Sequence, residues 1–368
     1  MASVKAASSE ITDRILTWYA SHQRDLPWRR SRHPYHIWVA EVMLQQTQVD
    51  TVIPYYERFL SRFPTIRTLA EASLATVLKV WENMGYYARA RHLHAAARDI
   101  MQRFDGKVPM TREELITLPG VGDYTAGAIL SMAFGQPVPA VDANVRRVLS
   151  RVFAIQAPLH QSQTERQLWD LAKTLVPTEG AGQFNQGLMD LGATVCTSRE
   201  PKCVLCPIKA CCQAYAHQLQ DALPVTRKRG PIPHCHLTAG VIWNDCEQVL
   251  IVRRSNQGLL GGLWKFPGGT QEPGESLRAC LGRQVRRELG IQIRVGPSIT
   301  LVNHAYTHFR ITLHAFQCTH TAGTPKALNC ADWRWSALHR LQDFAFSKAD
   351  RKIVHTVLSK NAAQTCSD

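Results

Sequence analysis

Residues 118–147 constrain the chain more than any other stretch. They read LPGVGDYTAGAIL and then, after a Pro-broken loop, VDANVRR. Leu118-Pro119-Gly120-Val121-Gly122 is a tight glycine turn that opens a helix. Such a turn presents unpaired backbone N–H groups, which suit a phosphate. Asp142 stands at the mouth of the next helix, where a carboxylate also serves as an N-cap. A lone Asp beside a phosphate clamp suits chemistry on a nucleotide.

The charge balance points the same way. A formal net charge of +14 over 368 residues predicts a polyanionic partner, because neutralised phosphates release their counterions. No stretch approaches the roughly 20 apolar residues that a membrane span needs, so no membrane role is expected. The opening MASVKAASSE has no apolar signal region, and residues 1–9 read as a disordered tail. From residue 10 to 216 apolar residues recur at three- and four-residue spacing, for example in Ile11–Ala20, His36–Leu44 and Arg89–Phe104. That pattern predicts an all-α unit of about ten helices. Residues 217–235 include LPVTRKRGPIPH, a basic, Pro-rich stretch expected to be a linker. Beyond it β-branched runs at Leu237–Trp243, Val249–Arg253, Ile291–Val295, Ile299–Val302 and Phe309–Thr319 surround helical patterns at Leu277–Leu289 and Ala349–Leu358. The expected class of residues 236–360 is α+β, with 361–368 as a tail.

Five of the 11 cysteines fall between residues 196 and 212, which argues for a metal site rather than a disulfide framework and for a reducing compartment. Cys196, Cys203, Cys206 and Cys212 have the spacing C-x6-C-x2-C-x5-C. Four thiolates in a short loop hold either an iron–sulfur cluster or zinc. Cys211 adjoins Cys212, and spacing does not say which of the two is spare.

Glu41 lies within an apolar helical pattern, flanked by Val39, Val42 and Leu44. Apolar surroundings favour the neutral carboxyl, as a general acid requires. Glu41 and Asp142 would then divide the labour of breaking a glycosidic bond: one protonates the leaving group and the other faces the sugar's developing positive charge.

Taken together, LPWR at 26–29, WVAEVMLQQTQV at 38–49, MGYYARA at 84–90, LPGVGDYTAGAI at 118–129, VDANVRRV at 141–148 and the four-cysteine loop resemble the endonuclease III superfamily of helix-hairpin-helix DNA glycosylases, most closely its adenine glycosylase branch. The resemblance implies a two-lobed helical fold, a [4Fe–4S] cluster on Cys196, Cys203, Cys206 and Cys212, and excision of a base flipped out of duplex DNA. It implies that Glu41 protonates adenine, that Asp142 stabilises or traps the sugar, and that Tyr124 and Asn144 orient the acid, the water and the sugar. Members that also cut the strand carry a lysine where this chain has Tyr124, so no Schiff base forms by that route and a monofunctional enzyme is expected. Trp28 and Arg29 match positions lining the adenine pocket. Gln46 and Tyr86 match positions that wedge into the duplex. Gly120, Val121 and Gly122 match the backbone contacts to phosphate.

The second half carries a decayed Nudix box. Gly269, Glu275, Arg283, Val285, Glu288, Gly290 and Ile291 fit the pattern, but Gln284 and Arg287 replace glutamates, which predicts the fold without metal-dependent hydrolysis. Adenine glycosylases of this branch carry such a domain to recognise 8-oxoguanine. Tyr306-Thr307-His308 resembles the loop that touches the lesion, with Thr307 in place of the usual serine. The expected partner is therefore double-stranded DNA with 8-oxoguanine:A or G:A mispairs, bound by a monomer. The expected location is the bacterial cytoplasm, with a nuclear form left open. Two alternatives remain: a thymine or uracil mismatch glycosylase, which would generally lack residues 236–358, and a lesion-binding protein without catalysis, which would not need both carboxylates.

Overall fold

The computed structural model describes residues 2–226 and 230–365. Its α-helices are α1 (Ala2–His22), α2 (Pro34–Leu44), α3 (Val49–Arg62), α4 (Ile66–Glu71), α5 (Leu74–Val80), α6 (Tyr87–Arg103), α7 (Arg112–Leu115), α8 (Asp123–Met132), α9 (Ala143–Val152), α10 (Ser162–Leu175), α11 (Ala181–Thr194), α12 (Gln213–Ala216), α13 (Leu277–Leu289) and α14 (Lys348–Thr365). The strands are β1 (His234–Trp243), β2 (Gln248–Arg253), β3 (Trp264–Lys265), β4 (Gln292–Ala305), β5 (Arg310–Ala322) and β6 (Asp332–Ala337).

The chain divides into two units. One comprises Met1–Glu71 with Ala95–Arg229, the other Ala72–His94 with Gly230–Asp368. The first unit is helical. Its α2 is apolar on nearly every face and buried from Ile37 to Met43, as a helix without a polar stripe must be. Pro34 at the first helical position supplies the φ that starts it. A separate core joins Ile11 and Ile15 of α1 to Val145, Val148 and Leu149 of α9 and Phe184, Leu188 and Leu191 of α11. Helix α11 packs closely because its glycines leave room. A Cβ on Gly182 would lie 2.7 Å from the Ser131 carbonyl oxygen, one on Gly187 2.8 Å from Ile15, and one on Gly192 2.6 Å from the Asn144 Cβ.

The second unit is a mixed sheet in the order β3-β2-β1-β5-β4, with β6 also paired to β2. Strand β1 runs parallel to β5 and the remaining pairs are antiparallel. Alternation along the strands sends Val241, Val249 and Ile251 to one face, with Ile353 and Val354 of α14. Ile242, Leu250 and Val252 face the other way, with Leu281 and Val285 of α13. Ala72–His94 is tied to this unit by polar contacts. Glu82 Oε1 accepts from the Phe346 backbone N–H (3.0 Å) and from Arg351 Nε (2.9 Å), and its other oxygen pairs with Lys79 (2.7 Å). Lys79 also donates to the Gln342 carbonyl (2.5 Å), and Arg91 donates to the carbonyls of Gly261 (2.9 Å) and Gly258 (2.8 Å).

Several expectations need correction. Residues 2–9 belong to α1, because nothing in the Ala- and Ser-rich start breaks a helix before Ile11. Likewise Asn361–Thr365 continue α14; Met1 and Cys366–Asp368 lie outside the described residues. The start of the expected linker is docked on the helical unit: the Leu223 carbonyl accepts from Arg151 Nε (2.9 Å) and the Val225 carbonyl from the Leu159 N–H (3.2 Å). Residues 227–229 of that linker lie outside the described residues, and β1 begins at His234, three residues ahead of the expected strand. The two strands expected at 291–302 are one bulged strand, β4. Finally, the β-rich unit recruits Ala72–His94, which periodicity assigned to the helical half.

Candidate active site

Glu41 sits on the buried helix α2 and is 4% exposed. Burial pushes its carboxyl up to about 7. The Asp142 carboxylate adds to the rise, while a hydrogen bond from Tyr124 and the charge of Arg29 oppose it. Tyr124 Oη is the donor to Glu41 Oε2. Tyr124 occupies the second position of α8, directly after Gly122 and Asp123, so the glycine turn that opens the helix also delivers this hydroxyl.

Asp142 caps α9. Its Oδ1 accepts from the Val145 N–H (2.7 Å) and its Oδ2 from Asn144 Nδ2 (3.0 Å). Burial raises its pKa, and these donors, with the charge of Arg147, hold it back. Arg147 in turn donates to Asn144 Oδ1 (2.8 Å). The result is two buried carboxyls that feel each other and are both pushed up by burial, of which Asp142 meets more fixed donors. An acid and an electrostatic stabiliser need such unequal surroundings.

Beside Glu41 lies a cavity of about 260 Å³, lined by Trp28, Arg29, Glu41, Tyr19, Gln186 and the small residues of the α8 and α11 ends. No lysine lines it. Trp28 is fixed edge-on against Tyr56 (5.4 Å). Both terminal nitrogens of Arg29 are held by Asp190 (2.7 and 2.9 Å), which Arg24 also engages (2.5 and 2.8 Å). The Arg29 Nε is buried without a hydrogen-bond partner in the structure. Asp142, Tyr124 and Asn144 are not among the cavity's lining residues. Sequence reasoning missed Asp190. Its signal was the one that singled out Glu41, a lone carboxylate in an apolar helix (GLMDLGATV).

Gly120 adopts φ +77°, and Gly122, with nothing within 4 Å of a notional Cβ, leaves the start of α8 open. Val121 is buried and closes the turn on the Leu118 carbonyl (3.1 Å). Gln46 and Tyr86 each carry a positive φ, +58° and +48°. Left-handed non-glycine backbone is strained and concentrates at functional sites. In the second unit, Tyr306 stacks on Phe309 (4.7 Å), while Thr307 and His308 are exposed on the β4–β5 turn. Thr307 Oγ1 and the Tyr86 hydroxyl are hydrogen-bonded at 2.7 Å, although 221 positions separate them. The retained Nudix carboxylates are already engaged: Glu288 by Lys265 (2.9 Å) and Glu275 by Arg283 (2.7 Å).

Cys196, Cys203, Cys206 and Cys212 line one pocket with Arg151 and Lys209. Arg151 donates to Cys196 Sγ (3.3 Å). Cys211 is not in that lining; beyond burial, the groups acting on its thiol are Glu10 and Arg14 of α1. This separates the neighbours that spacing could not. Among the described residues, no three His, Cys, Asp or Glu are grouped to hold a single metal ion.

The helical fold with its glycine hairpin, the paired carboxyls and the appended mixed sheet define a helix-hairpin-helix base-excision glycosylase carrying a Nudix domain. Residues 39–174 match the HhH-GPD superfamily of base excision DNA repair proteins, and residues 238–356 match the NUDIX domain. A thermostable thymine-DNA glycosylase of known structure superposes with TM-score 0.53 at 32% identity, covering 58% of this chain and 99% of that one. Endonuclease III in a non-covalent DNA complex shares the fold, at TM-score 0.50 and 24% identity over 59% of this chain and 98% of that one. The adenine DNA glycosylase of Homo sapiens is 37% identical over 92% of this chain and 72% of its own length. The chain belongs to the adenine DNA glycosylase family.

Proposed function

We propose that the chain is a monofunctional glycosylase of base excision repair, hydrolysing the N-glycosidic bond of adenine opposite 8-oxoguanine and, more slowly, opposite guanine. The observation that carries this reading is the Tyr124–Glu41 hydrogen bond beside a capped Asp142. Glu41 donates its proton to the departing base, which leaves neutral. Asp142, whose charged form Val145, Asn144 and Arg147 favour, faces the sugar as positive charge develops. Tyr124 fills the position of a strand-cleaving lysine and gives no amine for a Schiff base. The cavity next to Glu41, lined by Trp28 and Arg29, suits a flipped base.

Gln46 and Tyr86 serve as wedges, and the turn at Gly120, Val121 and Gly122 holds phosphate. Tyr306, Thr307 and His308 read the lesion; their exposed turn and the Thr307–Tyr86 bond support this. The four cysteines that line one pocket would hold a [4Fe–4S] cluster, the group that membership of this glycosylase family favours over zinc. Bound there, the cluster would supply a rigid brace for the 196–212 loop, with Arg151 and Lys209 offsetting its charge. The enzyme would act as a monomer on duplex DNA in a reducing compartment such as the bacterial cytoplasm. The thymine-glycosylase reading is less favoured, because that structural neighbour covers only 58% of this chain.

The test is single-turnover excision on a duplex with one 8-oxoguanine:A pair, quenched with and without alkali. Adenine release with strand breakage only after alkali is the expected result. Breakage without alkali would refute the monofunctional reading, and release of thymine from a G:T duplex in place of adenine would overturn the substrate.

A further inference from the structure

We infer that Asp190 is a positioning residue for the acid: by gripping both terminal nitrogens of Arg29 it withholds that cation from Glu41, so that Glu41 keeps its proton. The inference rests on Glu41 acting as the acid. Glu41, Arg29 and Tyr19 line the cavity, and Asp190, outside that lining, grips Arg29. Asp190, on α11, is fully buried, and its carboxylate takes two hydrogen bonds from Arg29 and three from Arg24, two from the guanidinium and one from the backbone N–H (3.3 Å). Arg29, 11% exposed at its side chain, lies within electrostatic reach of Glu41 and shares the cavity lining with it. Tyr19 of α1 faces the same cluster, and Glu41 is faced besides by Tyr124 of α8 and by Asp142.

A guanidinium satisfies one carboxylate bidentately with its fork of donors. Here the fork is spent on Asp190. Were it free, a swing toward Glu41 would create a buried ion pair and ionise the acid. Burial opposes an ionised Asp190, yet the two guanidiniums outweigh it and hold its carboxyl below the usual range, so the clamp persists wherever the enzyme works. Arg29 lowers the Asp190 carboxyl more than Arg24 does, so the clamp does not depend on the second arginine. The Arg29–Asp190 pair thus parks a positive charge next to a proton donor.

The experiment is the pH dependence of single-turnover excision by the full-length protein on the 8-oxoguanine:A duplex. In the wild type the rate falls as pH rises through the value at which Glu41 ionises. Asp190→Asn should move that fall to lower pH by about one unit or more, a loss of roughly tenfold at pH 8, with a rate at pH 5.5 within about threefold of wild type. Arg24→Gln breaks a similar pair but leaves Arg29 clamped, and its profile should not move. A uniform loss across pH in Asp190→Asn, or an equal shift in Arg24→Gln, would overturn the inference. Should Asp190→Asn fail to fold, Arg29→Gln decides. With the cation withheld its removal shifts the profile upward by less than about half a unit, whereas a shift of a full unit would mean that Arg29 already pairs with Glu41. Glu41→Gln separates the two readings: residual excision with the wild-type profile would remove Glu41 as the acid, whatever Asp190 does.

Discussion

A carboxyl that keeps its proton until the pH nears neutral leaves a mark on stability as well as on rate. Glu41 has its pKa raised from 4.5 to about 7. Between those values the folded chain holds a proton that the unfolded chain has released, so stability falls as pH rises through that window and levels off above it. Glu41→Gln removes the penalty and keeps a partner for the Tyr124 hydroxyl. Its melting temperature should match wild type near pH 4.5 and exceed it at pH 8, by roughly 1 to 3 kcal/mol of stability. Calorimetry at the two pH values checks this, and an equal difference at both would trace the effect to packing instead. Residues of this kind were legible in the sequence, since a charged side chain within an apolar run is visible without a structure. Arg29 was legible only as a motif match. Its clamp by Asp190 joins positions 161 apart and has no local signature.

At the scale of elements, the site is held by helix starts and by glycines that let helices touch. Tyr124 and Asp142 sit at the openings of α8 and α9, Asp142 as the N-cap that capping rules favour and Tyr124 two residues after the Gly122 cap. Those openings were readable from Gly122 and Asp142. Helix α11 lies within the expected all-α stretch but was not picked out as an element: its small and apolar residues are packed on three sides, against α1, α8 and α9. It matters for chemistry through Gly192. Gly192→Ala would place a methyl 2.6 Å from the Asn144 Cβ and 3.1 Å from its backbone, with no soft neighbour to yield. The expected outcome is a loss of about 1 to 3 kcal/mol of stability, together with at least a tenfold fall in excision as Asn144 and the Asp142 cap are displaced. Thermal melts and single-turnover rates read the two effects. A variant that loses stability but excises at the wild-type rate would show that Asn144 has no part in the site.

For the whole molecule, the broad plan was written in composition and pattern: helical periodicity first, alternating β-branched runs later, a basic stretch between. What the pattern could not give is where Ala72–His94 belongs, since a helix signals its period and not its partner. That segment is fastened to Gly230–Asp368 through Glu82, Lys79, Arg91 and Tyr86. Deleting residues 230–368 should therefore release 72–94, and, if the proposed lesion reading is right, it should also erase a preference for 8-oxoguanine:A over G:A. Hydrogen exchange would report the release, with amides of α5 and the Tyr86 region exchanging at least tenfold faster than in the full chain, and unchanged protection there would refute the attachment. The Lys79–Gln342 contact spans 263 positions. During synthesis, residues 72–94 thus leave the ribosome long before the surface that receives them exists. The helical half must then wait, open at one segment, until most of the chain has emerged. Such long-range closure is intrinsically slow and leaves apolar surface exposed meanwhile, so a ribosome stalled within the second half would display an unfinished enzyme with residues 72–94 undocked.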